Sequence, residues 1–257
     1  MNKKISVVLF IALVTISLIF DKGAAYGFTV SPTKIELSLA SKGAYTGAFT
    51  IRNTEKYTLS VSARIEDRRK AVEGKYAEAD EADNFDWLTL KLPSSELKPD
   101  EAGDIIFSVE VPEGAVGELN AMIFIEAKPK EADVGAIGIN TSIGVPIYVM
   151  VAGTELFQAE IGDIQLKSSS PLELYVTVKN SGNVHIRPEG NIAIKTKEGK
   201  GLFKVPLNEY SYPVLPDSSR ELEVRSEKML ETGEYIIEIE MESGDKIYKK
   251  SKEVQVF

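Results

Sequence analysis

Apolar and polar residues alternate along most of the chain after residue 28. Apolar side chains hold every odd position in residues 59–65, and the same period of two recurs in residues 105–111, 172–178 and 235–241. This period places one face of an extended chain against a core and the other face in solvent. Because no segment of useful length has apolar residues at helical spacing, the pattern predicts half-buried strands of antiparallel sheets.

Residues typical of tight turns separate the predicted strands about every ten residues, which is the spacing of a sandwich or barrel. The turn segments are residues 53–56, 99–103, 180–183, 198–201 and 243–246. A boundary falls near Gly153, because a strand-like stretch from Ile139 to Val151 ends there and new strands begin at Phe157. We therefore predict an all-β protein with two tandem immunoglobulin-like β-sandwich domains, residues 26–153 and 154–257, and one large β domain as the alternative.

The first 25 residues have the order of a secretory signal peptide. Lys3 and Lys4 precede an apolar or hydroxylic run from Ile5 to Phe20, and small residues follow up to Ala25. The sequence therefore predicts that residues 1–25 are a cleavable signal peptide and that the protein is exported, to the periplasm or to the cell surface. An uncleaved N-terminal anchor is the alternative, and only in that case do we expect contact with a membrane.

The chain is acidic and contains no Cys. Its formal net charge is −9, and removal of residues 1–25 takes away three Lys and one Asp, which moves the charge to about −11. An acidic protein without a basic cluster does not suit a nucleic-acid partner, since phosphates are bound by Lys and Arg. Without Cys neither a disulfide nor a lipid-bearing cysteine is available, so packed cores must stabilise the fold.

The sequence offers little catalytic or metal-binding chemistry. Zinc and iron sites use Cys or clustered His, whereas this chain has only His185, which we interpret as a lone surface imidazole. It has no glycine-rich phosphate loop, dinucleotide motif or Gly-x-Ser-x-Gly motif. The acidic stretch 68–86 is interpreted as a solvated loop, since its carboxylates lack the spacing of a calcium loop. We therefore predict no cofactor, no metal site and no enzymatic activity.

An ordered series of short segments in the N-terminal half carries a resemblance to a known family. The segments are residues 30–37 (Val-Ser-Pro-Thr-Lys-Ile-Glu-Leu), 49–53 (Phe-Thr-Ile-Arg-Asn), 97–100 (Leu-Lys-Pro-Asp) and 111–113 (Val-Pro-Glu). A long alternating strand follows them. With these segments in this order, the half resembles the first domain of the periplasmic pilus-assembly chaperones, the PapD-like family.

The C-terminal half resembles a second immunoglobulin-like module of bacterial surface proteins. This resemblance lies in residues 178–184, 188–190, 214–216 and 232–235. The layout of two modules is also similar to that of surface proteins that interact with WxL-type partners.

The resemblance to pilus chaperones implies a partner-binding strand. In that family the last strand of the first domain offers alternate apolar side chains to an incomplete subunit, and a basic pair binds the subunit's C-terminal carboxylate. The corresponding apolar residues here are Ile139, Ile143, Val145, Ile147 and Val149. Lys34 falls at the position of one basic residue, whereas residues 147–151 contain no Lys or Arg for the second. An ordinary core strand, packed inside its own sandwich, is the alternative.

These observations predict a non-catalytic, chaperone-like module that binds other exported or surface proteins through an exposed strand edge. The alternative function is a structural or adhesive surface component that binds cell wall or matrix. The sequence leaves the identity of the partner and the oligomeric state open.

Overall fold

The computed structural model describes residues 27–68, 85–92, 95–130 and 140–257. The predicted signal peptide, most of the acidic stretch 68–86 and Ile139 lie outside these ranges. Every named element of the described part is a β-strand, which confirms the predicted all-β fold. Within the same ranges there is no helix with the length and apolar character needed to cross a bilayer.

Nine strands of the described part precede residue 152. They are β1 (Phe28–Ser31), β2 (Ile35–Leu39), β3 (Ala44–Asn53), β4 (Leu59–Glu66), β5 (Leu88–Lys91), β6 (Glu96–Leu97), β7 (Ala102–Glu110), β8 (Glu118–Pro129) and β9 (Thr141–Val151). One sheet has the order β1-β3-β7-β5 and the other the order β2-β9-β8-β4-β6. Phe49 and Phe107 of the first sheet and Ile123 and Ile147 of the second share one buried core, so the sheets form a sandwich, called the N-terminal sandwich below.

Seven further strands lie between residues 159 and 256 in the described part. They are β10 (Ala159–Ser169), β11 (Leu172–Asn180), β12 (Glu189–Thr196), β13 (Gly201–Pro206), β14 (Ser218–Ser226), β15 (Gly233–Ser243) and β16 (Lys246–Val256). Their sheets have the orders β10-β11-β14 and β13-β12-β15-β16. Leu174 and Val176 of one sheet and Ile192 and Ile239 of the other share a second core, which defines the C-terminal sandwich. Two tandem sandwiches therefore form, as predicted.

A buried Asn closes the same kind of turn in each sandwich. The Nδ2 groups of Asn53 and Asn180 donate to the carbonyl four residues later, at 2.9 and 2.8 Å, and to a carbonyl distant in sequence, at 3.0 Å in both cases. Each Oδ1 accepts the N–H two residues later, at 2.8 and 2.9 Å. One side chain thus satisfies three backbone groups at the end of β3, and another satisfies three at the end of β11.

A small polar bracket connects the two sandwiches. Thr154 accepts the N–H of Gly117 on Oγ1 at 2.8 Å, and its carbonyl accepts Nδ2 of Asn183 at 2.9 Å. Gly117 has φ +72°, and a Cβ at this position would lie 2.5 Å from the carbonyl oxygen of Asn183. Only glycine meets both requirements without strain, and its close contact positions the N-terminal sandwich against the C-terminal one.

Candidate functional site

The two edges of β9 have partners of unequal length. On one side β9 pairs with β8 from Thr141 to Met150 without a register shift. On the other side the parallel strand β2 covers only residues 147–151. In the described part of the chain no strand pairs with the second edge of residues 141–146, which we call the open edge.

The backbone groups at the open edge follow from the alternation along the strand. Val151 donates its N–H to Gly117 on the β8 side at 2.8 Å, whereas Ala152 donates to Leu39 on the β2 side at 2.9 Å. Successive residues of a strand direct their backbone groups to opposite sides, so the even-numbered residues of β9 face the β2 side. Ser142 and Gly144 therefore present an N–H and a C=O to the open edge, while Pro146 has no N–H to present.

The predicted apolar residues of the strand point into its own sandwich. Val145, Ile147 and Val149 are 0% exposed and belong to the N-terminal core, and Ile143 packs partly buried at its rim. This is the position of an ordinary core strand, and these three buried side chains are not available to a partner in this arrangement. Partner binding by the strand stays a prediction, and any contact in this arrangement would involve the backbone at the open edge.

The outer face of the sheet beside the open edge is polar. Ser60 and Ser62 of β4, Glu126 and Lys128 of β8 and Ser142 of β9 line a depression of about 270 Å³. The side chain of Ser142 is small and Gly144 has none, so β9 raises no barrier on this face. A strand laid along the open edge would meet backbone and small side chains first.

Lys34, the predicted basic residue, is part of an ion-pair group where the sandwiches meet. Its Nζ lies 3.0 Å from Glu36, and Arg187 Nη2 donates to the same carboxylate at 2.7 Å. Burial alone would raise the pKa of Glu36, but the hydrogen bonds from Arg187 and Lys34 outweigh it and hold the pKa below its ordinary value of 4.5. The Lys34 side chain is 52% exposed, so it is both paired and accessible.

Tyr148 lies at the centre of this junction. It is 2% exposed, its ring stacks on His185 with centroids 4.1 Å apart, and its hydroxyl accepts Nε of Arg68 at 3.0 Å. The other side of His185 contacts Glu118, which accepts both the backbone N–H and the ring Nδ1. The interpretation of His185 as a lone surface imidazole is therefore wrong, because its side chain is 16% exposed and bridges the two sandwiches.

Three arginines converge around Tyr148. The guanidinium carbons of Arg68 and Arg187 lie 5.4 and 5.7 Å from the ring centroid. Burial lowers the pKa of the Arg220 guanidinium, and the positive charge of Arg68 lowers it further. Among the described residues no carboxylate forms an ion pair with Arg68 or Arg220, whereas Arg187 is paired with Glu36. We call Arg68, Arg187 and Arg220 the arginine cluster.

The arginine cluster supplies basic groups that the sequence pattern did not locate. The resemblance to pilus chaperones implies a second basic residue late in β9, where Tyr148 stands instead. Arg68 follows the end of β4, Arg187 precedes β12 and Arg220 lies on β14. Their separation in sequence gave no signal, and only the packing of two sandwiches brings them together.

Within the described ranges, no group of three or more His, Asp or Glu side chains is arranged to hold a metal ion. The acidic residues 73–83, considered above for calcium, lie outside those ranges. The predicted absence of a metal and of a cofactor stays a prediction.

Comparisons with known proteins found similar solved structures and one similar curated protein. No protein-family model matches the chain. Similar solved structures include the YadV chaperone (10% identity, 89% of this chain and 100% of that chain, TM-score 0.46). Another is the Salmonella enterica SafA pilin in complex with the SafB chaperone (11% identity, 90% and 96%, TM-score 0.47). The Escherichia coli chaperone DraB is a third (14% identity, 90% and 97%, TM-score 0.44).

One curated protein is similar over part of the sequence. A putative beta-xylosidase of Formosa agariphila is 31% identical over 125 residues, which make up 41% of this chain and 16% of that protein. The chain thus corresponds to a small fraction of this relative. Each of the three solved structures named above is a chaperone or contains one.

Proposed function

We propose that the protein is an exported, chaperone-like binding module that takes up an extended segment of another exported protein along the open edge of β9. The observation that carries this proposal is the unequal pairing of β9, whose residues 141–146 are paired with β8 and lack a second neighbour within the described ranges. Unpaired N–H and C=O groups in a row are a template for an additional strand.

The open edge lacks the protection that edge strands usually carry. Residues 141–146 contain no charged side chain. The edge strand β16 of the C-terminal sandwich shows the contrast, because it carries Lys246, Lys249, Lys250 and Lys252, three of which donate to residues of β10 or its approach. Charged edges oppose pairing with foreign strands. The open edge of β9 has no charged side chains, in contrast to the lysine-rich edge of β16, and this difference supports strand addition at β9.

The arginine cluster extends this surface toward the C-terminal sandwich. Tyr148 is four residues beyond Gly144, which is about 13 Å along an extended strand. Arg68 and Arg220 repel each other and have no carboxylate partner in the described part, so an incoming carboxylate would relieve the repulsion and form charge-assisted hydrogen bonds. In the proposal, the partner's segment lies along the open edge and one of its acidic groups binds at the cluster.

Export and the division into domains at residues 26–153 and 154–257 belong to the same proposal. They are supported by the basic and apolar order of residues 1–25 and by the separate cores of the two sandwiches. Hydrolysis of xylosides is not part of it, because the chain spans only 16% of the xylosidase-like relative. A structural or adhesive surface role remains the alternative prediction, and it does not need the open edge.

Two substitutions at one position test the proposal. Ser142→Pro removes the N–H that faces the open edge and leaves the pairing with β8 in place, whereas Ser142→Ala removes only the hydroxyl. Tagged wild type and both variants are incubated with an envelope extract of the source organism, and co-purified proteins are quantified after thermal unfolding has shown all three to be folded. We expect Ser142→Pro to lose the partner and Ser142→Ala to retain it. Equal recovery by the proline variant would contradict strand addition.

A further inference from the structure

Two tyrosines of the C-terminal sandwich are exposed on a turn that is fixed by several side-chain hydrogen bonds. Tyr210 is 71% exposed and Tyr212 is 46% exposed, and their ring centroids lie 5.8 Å apart. Both belong to the connection between β13 and β14. Scattered exposed apolar residues need no explanation, but two large rings side by side on a fixed turn do.

The turn is fixed mainly by Asn208. Its Oδ1 accepts the N–H of Tyr212 at 2.9 Å, and its Nδ2 donates to the carbonyls of Tyr212 at 3.0 Å and Pro188 at 3.2 Å. Ser211 takes the left-handed conformation with φ +52°, which is unfavourable for a residue other than glycine. The turn that carries the two rings therefore includes local backbone strain at Ser211.

Two residues of the arginine cluster complete the support. Arg187 donates to the carbonyl of Ser211 at 2.8 Å, and Arg220 donates to that of Pro213 at 3.0 Å. The Arg220 guanidinium also lies 4.5 Å from the centroid of the Tyr212 ring. One face of Tyr212 is thereby covered, while Tyr210 remains the more open ring of the pair.

A cavity of about 160 Å³ adjoins Tyr210. Pro206, Leu207 and Val224 give it an apolar floor, and Glu209, Glu223 and Arg225 stand around it. The site therefore combines an aromatic face with polar groups at its rim, where Arg225 forms an ion pair with Glu223 and Glu209 adds a second carboxylate. It does not form a continuous apolar patch of the kind that the centre of a protein interface requires.

We propose that this site binds neutral saccharides by stacking one sugar ring on Tyr210. A pyranose has C–H groups on one face and hydroxyls around its rim, which matches an aromatic face surrounded by Glu209, Glu223 and Arg225. Anionic ligands are disfavoured, because the chain carries a net charge of −9 and two of the three charged groups at the cavity are carboxylates. The saccharide site is independent of the open edge of β9.

Neutral tetrasaccharides provide the test. The full chain is titrated separately with β-1,4-linked tetramers of xylose, glucose and N-acetylglucosamine, and binding is followed by calorimetry and by the ring resonances of Tyr210. We expect at least one tetramer to bind, Tyr210→Phe to retain it and Tyr210→Ala to weaken it by about tenfold, the order expected for loss of an aromatic stacking contact. Tyr45→Ala, which truncates a tyrosine that is 42% exposed on the N-terminal sandwich, should bind as wild type does.

Two outcomes would overturn the proposal. One is the absence of binding by all three tetramers at millimolar concentration. The other is equal affinity of wild type and Tyr210→Ala, which would place any bound sugar elsewhere. In that second case, loss of a protein partner in Tyr210→Ala would assign the tyrosines to a protein interface.

Discussion

Replacing Asn180 by Ala removes three side-chain hydrogen bonds from the interior of the C-terminal sandwich. The carbonyl of Val214 keeps a second partner, the N–H of Ile186 at 3.0 Å. The carbonyl of Val184 and the N–H of Gly182 have no other protein partner in the described part. Leaving a buried polar group unpaired costs about 1–3 kcal/mol, so we expect a loss of about 3 kcal/mol for the two groups together.

Asn208 provides a matched control in the same sandwich. It also makes three hydrogen bonds to backbone groups, at 2.9, 3.0 and 3.2 Å, but around an exposed turn where water can replace the side chain. We expect Asn208→Ala to cost about 1 kcal/mol, since hydrogen bonds that water replaces contribute little net stability. The two variants share a sandwich, a residue type and a number of bonds, and differ in burial.

Urea unfolding of the full chain, followed by far-UV circular dichroism, measures both losses. The fluorescence of Trp87, the single Trp of the chain, reports on the N-terminal sandwich and shows whether the two sandwiches unfold separately. A loss near 3 kcal/mol is a large part of the 5–15 kcal/mol typical of a domain, so the difference from Asn208→Ala is measurable. Equal losses for the two variants would refute the argument from burial.

Three further substitutions test the junction between the sandwiches. Gly117→Ala should destabilise the protein more than Gly114→Ala in thermal unfolding. Both glycines have φ above +70°. However, an added Cβ at position 117 would meet the backbone of the other sandwich, whereas one at position 114 would meet nothing within 4 Å. Glu36→Gln should lower the free energy of unfolding at pH 7. The difference from wild type should shrink as the pH falls through the lowered pKa of Glu36, because a carboxylate stabilised in the folded state loses that contribution on protonation. A difference in urea unfolding that does not depend on pH would contradict this. Tyr148→Phe should lower the free energy of unfolding by about 2 kcal/mol, because it leaves a buried guanidinium N–H of Arg68 unpaired. The hydroxyl of Tyr175 lies 3.3 Å from two carboxylates at the surface, so Tyr175→Phe should have little effect in the same assay.

The strands could be predicted from the sequence because burial in a sandwich leaves a local record. Leu172, Leu174, Val176 and Val178 alternate in sequence and are all at most 1% exposed, since one face of β11 is core along its whole length. Turn residues such as those of 180–183 likewise mark the strand ends. Turn residues do not show whether a side chain is buried, so the role of Asn180 could not be distinguished from that of an Asn on an exposed turn.

The candidate site could be predicted only in part, because it depends on contacts between distant segments. Alternation in residues 139–151 identifies a strand with one apolar face. A strand that packs in its own core and a strand that offers its side chains to a partner have the same pattern. The structure places Val145 in the core, and the feature that remains for a partner is a backbone edge without any side-chain signature. The arginine cluster was hidden for the same reason, since its members lie on three elements that are far apart in sequence.

Pro146 shows why the two halves of one strand differ. Its backbone faces the β2 side, where the register would pair it with Lys34, one residue before β2 begins. A proline cannot donate a hydrogen bond to that side, and the parallel ladder begins only at Ile147. The residues of β9 that precede Pro146 therefore have no pairing with β2. A charged substitution at the neighbouring Val145 is not a useful test, because it would disrupt the buried core and give no information about the open edge. A variant that removes one outward N–H, such as Ser142→Pro, changes the edge alone, and for that reason it separates a strand that binds a partner from a strand that only closes a sandwich.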